Sequence, residues 1–162
     1  PRTFSSAASD VYKRQFIGIG SNQNHPHFRV QKAFKQINRI HETRLIKKSS
    51  LYETIPLGPK SQPNFINAVV KIETMLTPLK LLEELKNLEK LHHRKTTKRW
   101  GPRSLDLDIL IYDRVIMDSE NLTIPHPGIE YREFVLIPLY EITKYDFEVP
   151  KFGKINKLIK RL

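Results

Sequence analysis

The chain has 162 residues, 39% of them hydrophobic, a formal net charge of +11 and no cysteine. That length supports one domain with a sizeable core, and the lack of cysteine excludes disulfides, thiolate metal sites and a cysteine nucleophile. No apolar run approaches the roughly 20 residues that cross a bilayer, and no secretory signal pattern is present, so a cytoplasmic protein without a membrane partner is expected.

The chain opens on Pro1 rather than Met, and a fragment or processed product is expected. Residues 1–15 are small, polar and unpatterned, and read as a disordered or foreign leader ahead of a folded domain spanning 16–162. FIGIG, from Phe16, predicts a short strand, with Gly20, Ser21 and Asn22 as the turn and cap into a helix. That helix carries Val30, Ala33, Phe34 and Ile37 at i, i+3, i+4 and i+7. A second strand is expected over 45–53, then a loop rich in turn formers. Residues 65–75 alternate, with Phe65, Asn67, Val69 and Lys71 on one side and Ile66, Ala68, Val70 and Ile72 on the other. Thr77 and Pro78 read as N-cap and first residue of a helix whose stripe is Leu81, Leu82, Leu85 and Leu88. Beyond a basic segment come a strand over 105–111, short strands near 115–116 and 122–124, and a helix over about 131–140. The basic tail, 151–161, reads as a solvated helix or end. The order β-α-β-β-α-β is that of an α+β, ferredoxin-like antiparallel sheet carrying helices.

Chemistry concentrates in RWGPRSLDLDIL, residues 99–110. Leu105, Leu107, Ile109 and Ile111 alternate with Asp106, Asp108 and Leu110, so both carboxylates should leave one face of a strand. Side-by-side carboxylates repel unless a cation lies between them. Oxygen ligands alone favour a hard ion, Mg²⁺ first. Arg99 and Arg103 are suited to bidentate phosphate contact. Together these point to phosphoryl or pyrophosphoryl transfer from a nucleotide, set against the plainer reading of two solvated aspartates.

Other motifs read both ways. Gly18 and Gly20 lack the third glycine of a dinucleotide fingerprint, and no P-loop pattern exists. His92 and His93 read as a solvated pair, because adjacent helical residues point apart. His126, between Pro125 and Pro127, is either turn packing or a phosphate or ribose contact. Arg132 and Phe134 would not share a face if both were helical. The 54–67 segment is either an ordinary hairpin loop or an apolar wall offering the Asn67 amide to a planar heterocycle. A nucleic-acid module is the rival that the net charge suggests, but aspartates on the sheet would repel phosphate.

In this order IGSN (19–22), SSLYETIPLGP (49–59), QPNFINAVV (62–70), RWGPRSLDLDIL (99–110) and LTIPHP (122–127) resemble the 6-hydroxymethyl-7,8-dihydropterin pyrophosphokinase family of folate biosynthesis. The resemblance runs from Phe16 to about Ile155. It implies transfer of pyrophosphate from ATP to a pterin alcohol by a cytoplasmic monomer whose partners are those small molecules. It implies Asp106 and Asp108 as ligands of two Mg²⁺ ions, and Arg94 and Arg103 as catalytic cations. Leu82, Glu89, Arg94, Arg99, Arg103, Ile109, Thr123, His126 and Arg132 would form the ATP site. Thr54, Ile55, Pro56, Leu57, Phe65, Asn67, Trp100 and Phe134 would hold the pterin, Trp100 and Phe134 as a sandwich. Segments 54–64 and 92–103 would close over the substrates and exclude water. This chain departs from the family pattern in four places. Its arginine loop is one residue shorter, with Lys95 or Thr96 where a second arginine is usual; VYKRQ replaces apolar residues before FIGIG; and Lys86 and Ile55 are unusual. A longer, bifunctional native chain stays open.

Overall fold

The computed structural model describes residues 13–56, 58, 61–92 and 104–162. Its framework is β1 (Lys13–Ser21), α1 (Pro26–Asn38), β2 (Thr43–Lys48), β3 (Tyr52–Thr54), β4 (Phe65–Thr74), α2 (Pro78–Leu91) and β5 (Asp106–Tyr112). The strands form one antiparallel sheet in the order β2-β4-β1-β5, with β3 following β2 along β4. This is the expected β-α-β-β-α-β arrangement with β1 and β4 central. No described helix is long and apolar enough to cross a membrane.

Side-chain parity builds two cores, one on each face. Ile17, Ile19, Ala68, Val70, Ile72, Leu107 and Ile109 pack under Val30, Ala33, Phe34 and Ile37 of α1 and Leu81 and Leu85 of α2. The α1 stripe is the one the periodicity predicts, and the Thr77 hydroxyl caps α2 by accepting from Lys80 N–H. On the opposite face Phe16, Val69, Leu110 and Ile111 pack against Val135, Leu136 and Leu139 of α3 (Glu133–Glu141) and Ile155 and Leu158 of α4 (Ile155–Lys160).

Several expectations are corrected. β1 begins at Lys13, not Phe16, because residues 13–15 continue the ladder against Ile72–Thr74 of β4. The strand expected over 45–53 is two pieces. Ser49 breaks it by offering its hydroxyl to Val69 N–H at 2.9 Å, in place of a regular ladder bond. The alternation expected through Ile111 ends one residue early, since β5 pairs Ile109 with Ile17 but Ile111 with Phe16. Leu110 is the extra residue of a bulge, so Leu110 and Ile111 both join the second core and Tyr112 returns to the first. The short strands are β6 (Met117–Asp118) and β7 (Thr123–Ile124), and a 3-10 turn over Ile129–Tyr131 precedes α3. The tail is not merely solvated. The hairpin of β8 (Glu148–Val149) and β9 (Gly153–Lys154) leads into α4, while Phe147 packs on Phe16 at 5.3 Å between ring centroids.

Gln15 shows the cost of the polar residues at the start of β1. Its side chain is fully buried between strands, and neither its amide oxygen nor its nitrogen has a hydrogen-bond partner. An orphaned buried amide costs roughly 1–3 kcal/mol. Gln15→Leu is therefore expected to stabilise the fold by about 1 kcal/mol, raising Tm by about 3 °C in a melt. A lower Tm would show that the amide is satisfied in solution.

Candidate active site

Two glycines of β1 let its neighbours share a surface. The register sets Gly20 between Asn67 of β4 and Asp106 of β5, and Gly18 between Val69 and Asp108. A Cβ on Gly20 would lie 2.9 Å from Asn67 Oδ1, so no larger residue fits there without displacing that amide. Asp106 and Asp108 leave β5 on one face, half-buried, while Leu107 and Ile109 fill the first core. The sequence reading of paired carboxylates holds. Phe65 and Asn67 lie on the same face of β4, where Asn67 Nδ2 donates to the Thr54 hydroxyl. Thus the aspartates and the amide share one end of the face on which α3 packs, beyond Phe16, Val69, Leu110 and Ile111.

Above β5 sits the turn that carries His126. A cis Ile124–Pro125 bond leads into it, and His126 N–H donates to the bulge carbonyl of Leu110 at 2.8 Å. Gly128 N–H donates to His126 Nδ1 at 3.0 Å. The neutral ring therefore carries its proton on Nε2 and can donate from there. Burial, and then the charge of Arg132, push His126 down to about 4, against an opposing pull from Asp106. Arg132 is extended rather than helical, at the N-cap of α3 (φ −101°, ψ 104°). The condition under which the two would diverge, that both be helical, is therefore not met, and the Arg132 guanidinium lies 5.7 Å from the Phe134 ring centroid. Arg132 also folds tightly over Gly128, where a Cβ would come within 2.4 Å of its Nε.

The remaining expected site residues separate into groups. Glu89 is only 5% exposed, and its carboxylate accepts from Leu107 N–H at 2.8 Å, so it braces β5. Ile109 points into the first core, which leaves its backbone rather than its side chain to line any site. Leu82 is half-buried beside that core, and Thr123 donates to Asp118 Oδ1 at 3.3 Å. Thr54 is half-buried and Pro56 buried, but Ile55 is 74% exposed. Leu57, Arg94, Arg99, Trp100 and Arg103 lie outside the described residues.

Some polar residues prove more structured than their sequence context suggests. His92 is buried, not solvated; Gln36 Oε1 lies 2.6 Å from its Nε2 and Arg29 Nη1 3.3 Å from its Nδ1. Ser21 and Asn22 do not cap α1, whose N-cap is His25 with no side-chain cap bond. Ser21 instead donates to the Ser104 carbonyl at 2.6 Å, and Asn22 Nδ2 donates to Gln62 Oε1 and to the Pro63 carbonyl. The only trace of this in the sequence is the pairing of amides in GSN and QPN.

The family model described as 7,8-dihydro-6-hydroxymethylpterin-pyrophosphokinase matches residues 16–144. A Haemophilus influenzae protein named 2-amino-4-hydroxy-6-hydroxymethyldihydropteridine pyrophosphokinase is 47% identical over 146 residues, covering 90% of this chain and 91% of its own. A Pseudomonas aeruginosa protein of the same name is 41% identical, with coverage of 92% and 91%. Among solved structures, the Plasmodium falciparum HPPK-DHPS wild type with pteroate superposes with a TM-score of 0.70 at 16% identity. The match covers 93% of this chain but only 42% of that one, a likeness of fold.

The placement of His126 has a measurable consequence. Its folded value of about 4 lies below the ordinary 6.5, so the unfolded chain takes up the proton first as pH falls. Its contribution to stability is complete above about pH 6.5 and is lost as pH drops through about 4. NMR titration of the imidazole is expected to give a midpoint near 4, whereas one near 6.5 would contradict a half-buried ring beside Arg132.

Proposed function

The chain belongs to the 7,8-dihydro-6-hydroxymethylpterin-pyrophosphokinase family, and from that premise we infer that it transfers pyrophosphate from ATP to 6-hydroxymethyl-7,8-dihydropterin. The products are AMP and the pterin diphosphate, an intermediate of folate biosynthesis. The observation that carries this reading is the shared face: Asp106 and Asp108 on β5 and Asn67 and Phe65 on β4, with the side-chain-free Gly18 and Gly20 of β1 between the two strands.

In this reading the pterin edge is read by Asn67 and the backbone of Thr54, Ile55, Pro56 and Leu57. Its ring lies between Phe134 and Trp100, near Phe65. His126, through Nε2–H, and Arg132 donate to ATP, while Arg94, Arg99 and Arg103 neutralise its phosphates. The Ile109 backbone, Leu82, Glu89 and Thr123 support the nucleotide side of β5.

Two carboxylates from one face suit Mg²⁺, which binds through one or two carboxylates and keeps water and substrate phosphate as its other ligands. Among the described residues no cluster of three His, Cys, Asp or Glu side chains forms, so the donor set fits a substrate-completed ion rather than a closed protein cage. Asp106 and Asp108 would hold two such ions, supplying charge neutralisation at the triphosphate.

The pterin hydroxymethyl oxygen attacks the β-phosphorus in line. The bond from that phosphorus to the α,β-bridging oxygen breaks, and AMP leaves. The hydroxyl proton passes to Asp106 or Asp108. Rate enhancement comes from positioning and electrostatics rather than covalent catalysis. We read the enzyme as a monomer working in the cytoplasm, where ATP and Mg²⁺ are available.

AMP release from ATP tests this directly. It is expected to require both the pterin alcohol and Mg²⁺, and to stop on chelation. Asp106→Ala and Asp108→Ala should each lower kcat by about 100-fold or more with Tm little changed. Formation of ADP, or full activity in either variant, would contradict the assignment.

A further inference from the structure

Ser21, Asn22 and Asn24, at the end of β1 and just beyond it, hold both halves of the site, and we propose that Asn22 is a positioning residue that sets the pterin side independently of the ATP side. Asn22 is 2% exposed and Gln62 9% exposed. One Asn22 amide nitrogen donates to Gln62 Oε1 at 2.9 Å and to the Pro63 carbonyl at 3.0 Å. Both acceptors belong to the segment that enters β4, and Pro63 stands two residues before Phe65 and four before Asn67.

The neighbours of Asn22 act on the other side. Ser21 Oγ donates to the Ser104 carbonyl at 2.6 Å, and Asn24 Nδ2 donates to Ser104 Oγ at 2.8 Å. Ser104 stands two residues before Asp106. The connection itself is strained, with φ of 55° at Asn24 and 64° at His25, and nothing from the His25 side chain caps α1. Such conformations persist where surrounding bonds over-determine them. The hydrogen bonds to residues 62, 63 and 104 are those bonds.

Asparagine is the residue this arrangement needs. Its single NH₂ group supplies two hydrogens to two acceptors from one point, and buried donors and acceptors left without partners are costly. Aspartate has the same shape and cannot donate. Gln62 contributes the acceptor to this contact, which methionine lacks. The shape-matched variants therefore separate the hydrogen bonds from the packing.

This inference rests on the reaction proposed above, and steady-state AMP release with each substrate varied tests it. Wild-type enzyme must first show pterin-dependent AMP release; without it the proposed function fails, and this inference with it. In active enzyme, Asn22→Asp is expected to raise KM for 6-hydroxymethyl-7,8-dihydropterin about tenfold, with KM for ATP within about twofold. Gln62→Met breaks the same bond from the other side and is expected to give the same split, so the test survives if Asn22→Asp fails to fold. Ser21→Ala, which loosens Ser104 instead, is expected to move KM for ATP and leave the pterin value nearly unchanged. Equal shifts in both KM values on Asn22→Asp or Gln62→Met would overturn the proposal and leave Asn22 a purely structural residue.

Discussion

The parity of β5 is the constraint on which the site depends. Leu107 and Ile109 are locked into the core beneath α2, and this forces Asp106 and Asp108 to the opposite face. A slip of one residue would drive both carboxylates into an apolar interior, at a cost far above that of exposing two aliphatic side chains. Glu89 reinforces the register from below by accepting Leu107 N–H. The bulge at Leu110 then ends the parity where the second core requires it, and its carbonyl anchors the turn bearing His126. One strand thus fixes two carboxylates, a core boundary and a histidine.

The second face is divided rather than uniformly covered. At one end α3 and α4 seal Phe16, Val69, Leu110 and Ile111. Glu141 at the end of α3 ties this cover to the sheet by accepting from Ser50 N–H, Ser50 Oγ and Tyr52 OH. That hydrogen bond, with burial and the Glu141 charge, holds the Tyr52 phenol up at about 12, so the donor stays protonated across the ordinary pH range. At the other end the face carries Asp106, Asp108, Asn67 and Phe65. Arg132, held extended just before α3, stands at the boundary and reaches Phe134 because it has not yet entered the helix.

How much of this could be read in the sequence depends on whether local periodicity or distant partners decide each residue. The stripes of α1 and α2, the alternation of β4 and the paired aspartates are local, and each is legible. The bulge is not, because in LDLDILIY an apolar residue at 110 or 111 satisfies either face. The break between β2 and β3 is set by Val69 and Glu141, 20 and 91 residues from their serine partners. His92 reads as exposed beside His93 but is buried by Arg29 and Gln36 of α1, more than 50 residues away. Asn22 reads as a cap for the same reason. Its true acceptors lie 40 and 41 residues along the chain. The family resemblance implies substrate-facing positions and is silent on these bracing ones.

The claim that one end of the sheet joins an ion-binding strand to a pterin-reading strand is tested most directly by Mn²⁺. The ion would be added at low concentration, with a non-hydrolysable ATP analogue, to the isotope-labelled protein. Paramagnetic broadening is predicted to appear first at the backbone amides of Gly18, Gly20, Asp106 and Asp108, followed by Asn67 and His126. Resonances of α4 and the β8–β9 hairpin should stay sharp. Broadening centred on Glu141, or on the acidic residues of α2, with the β1 glycines unaffected, would contradict the account.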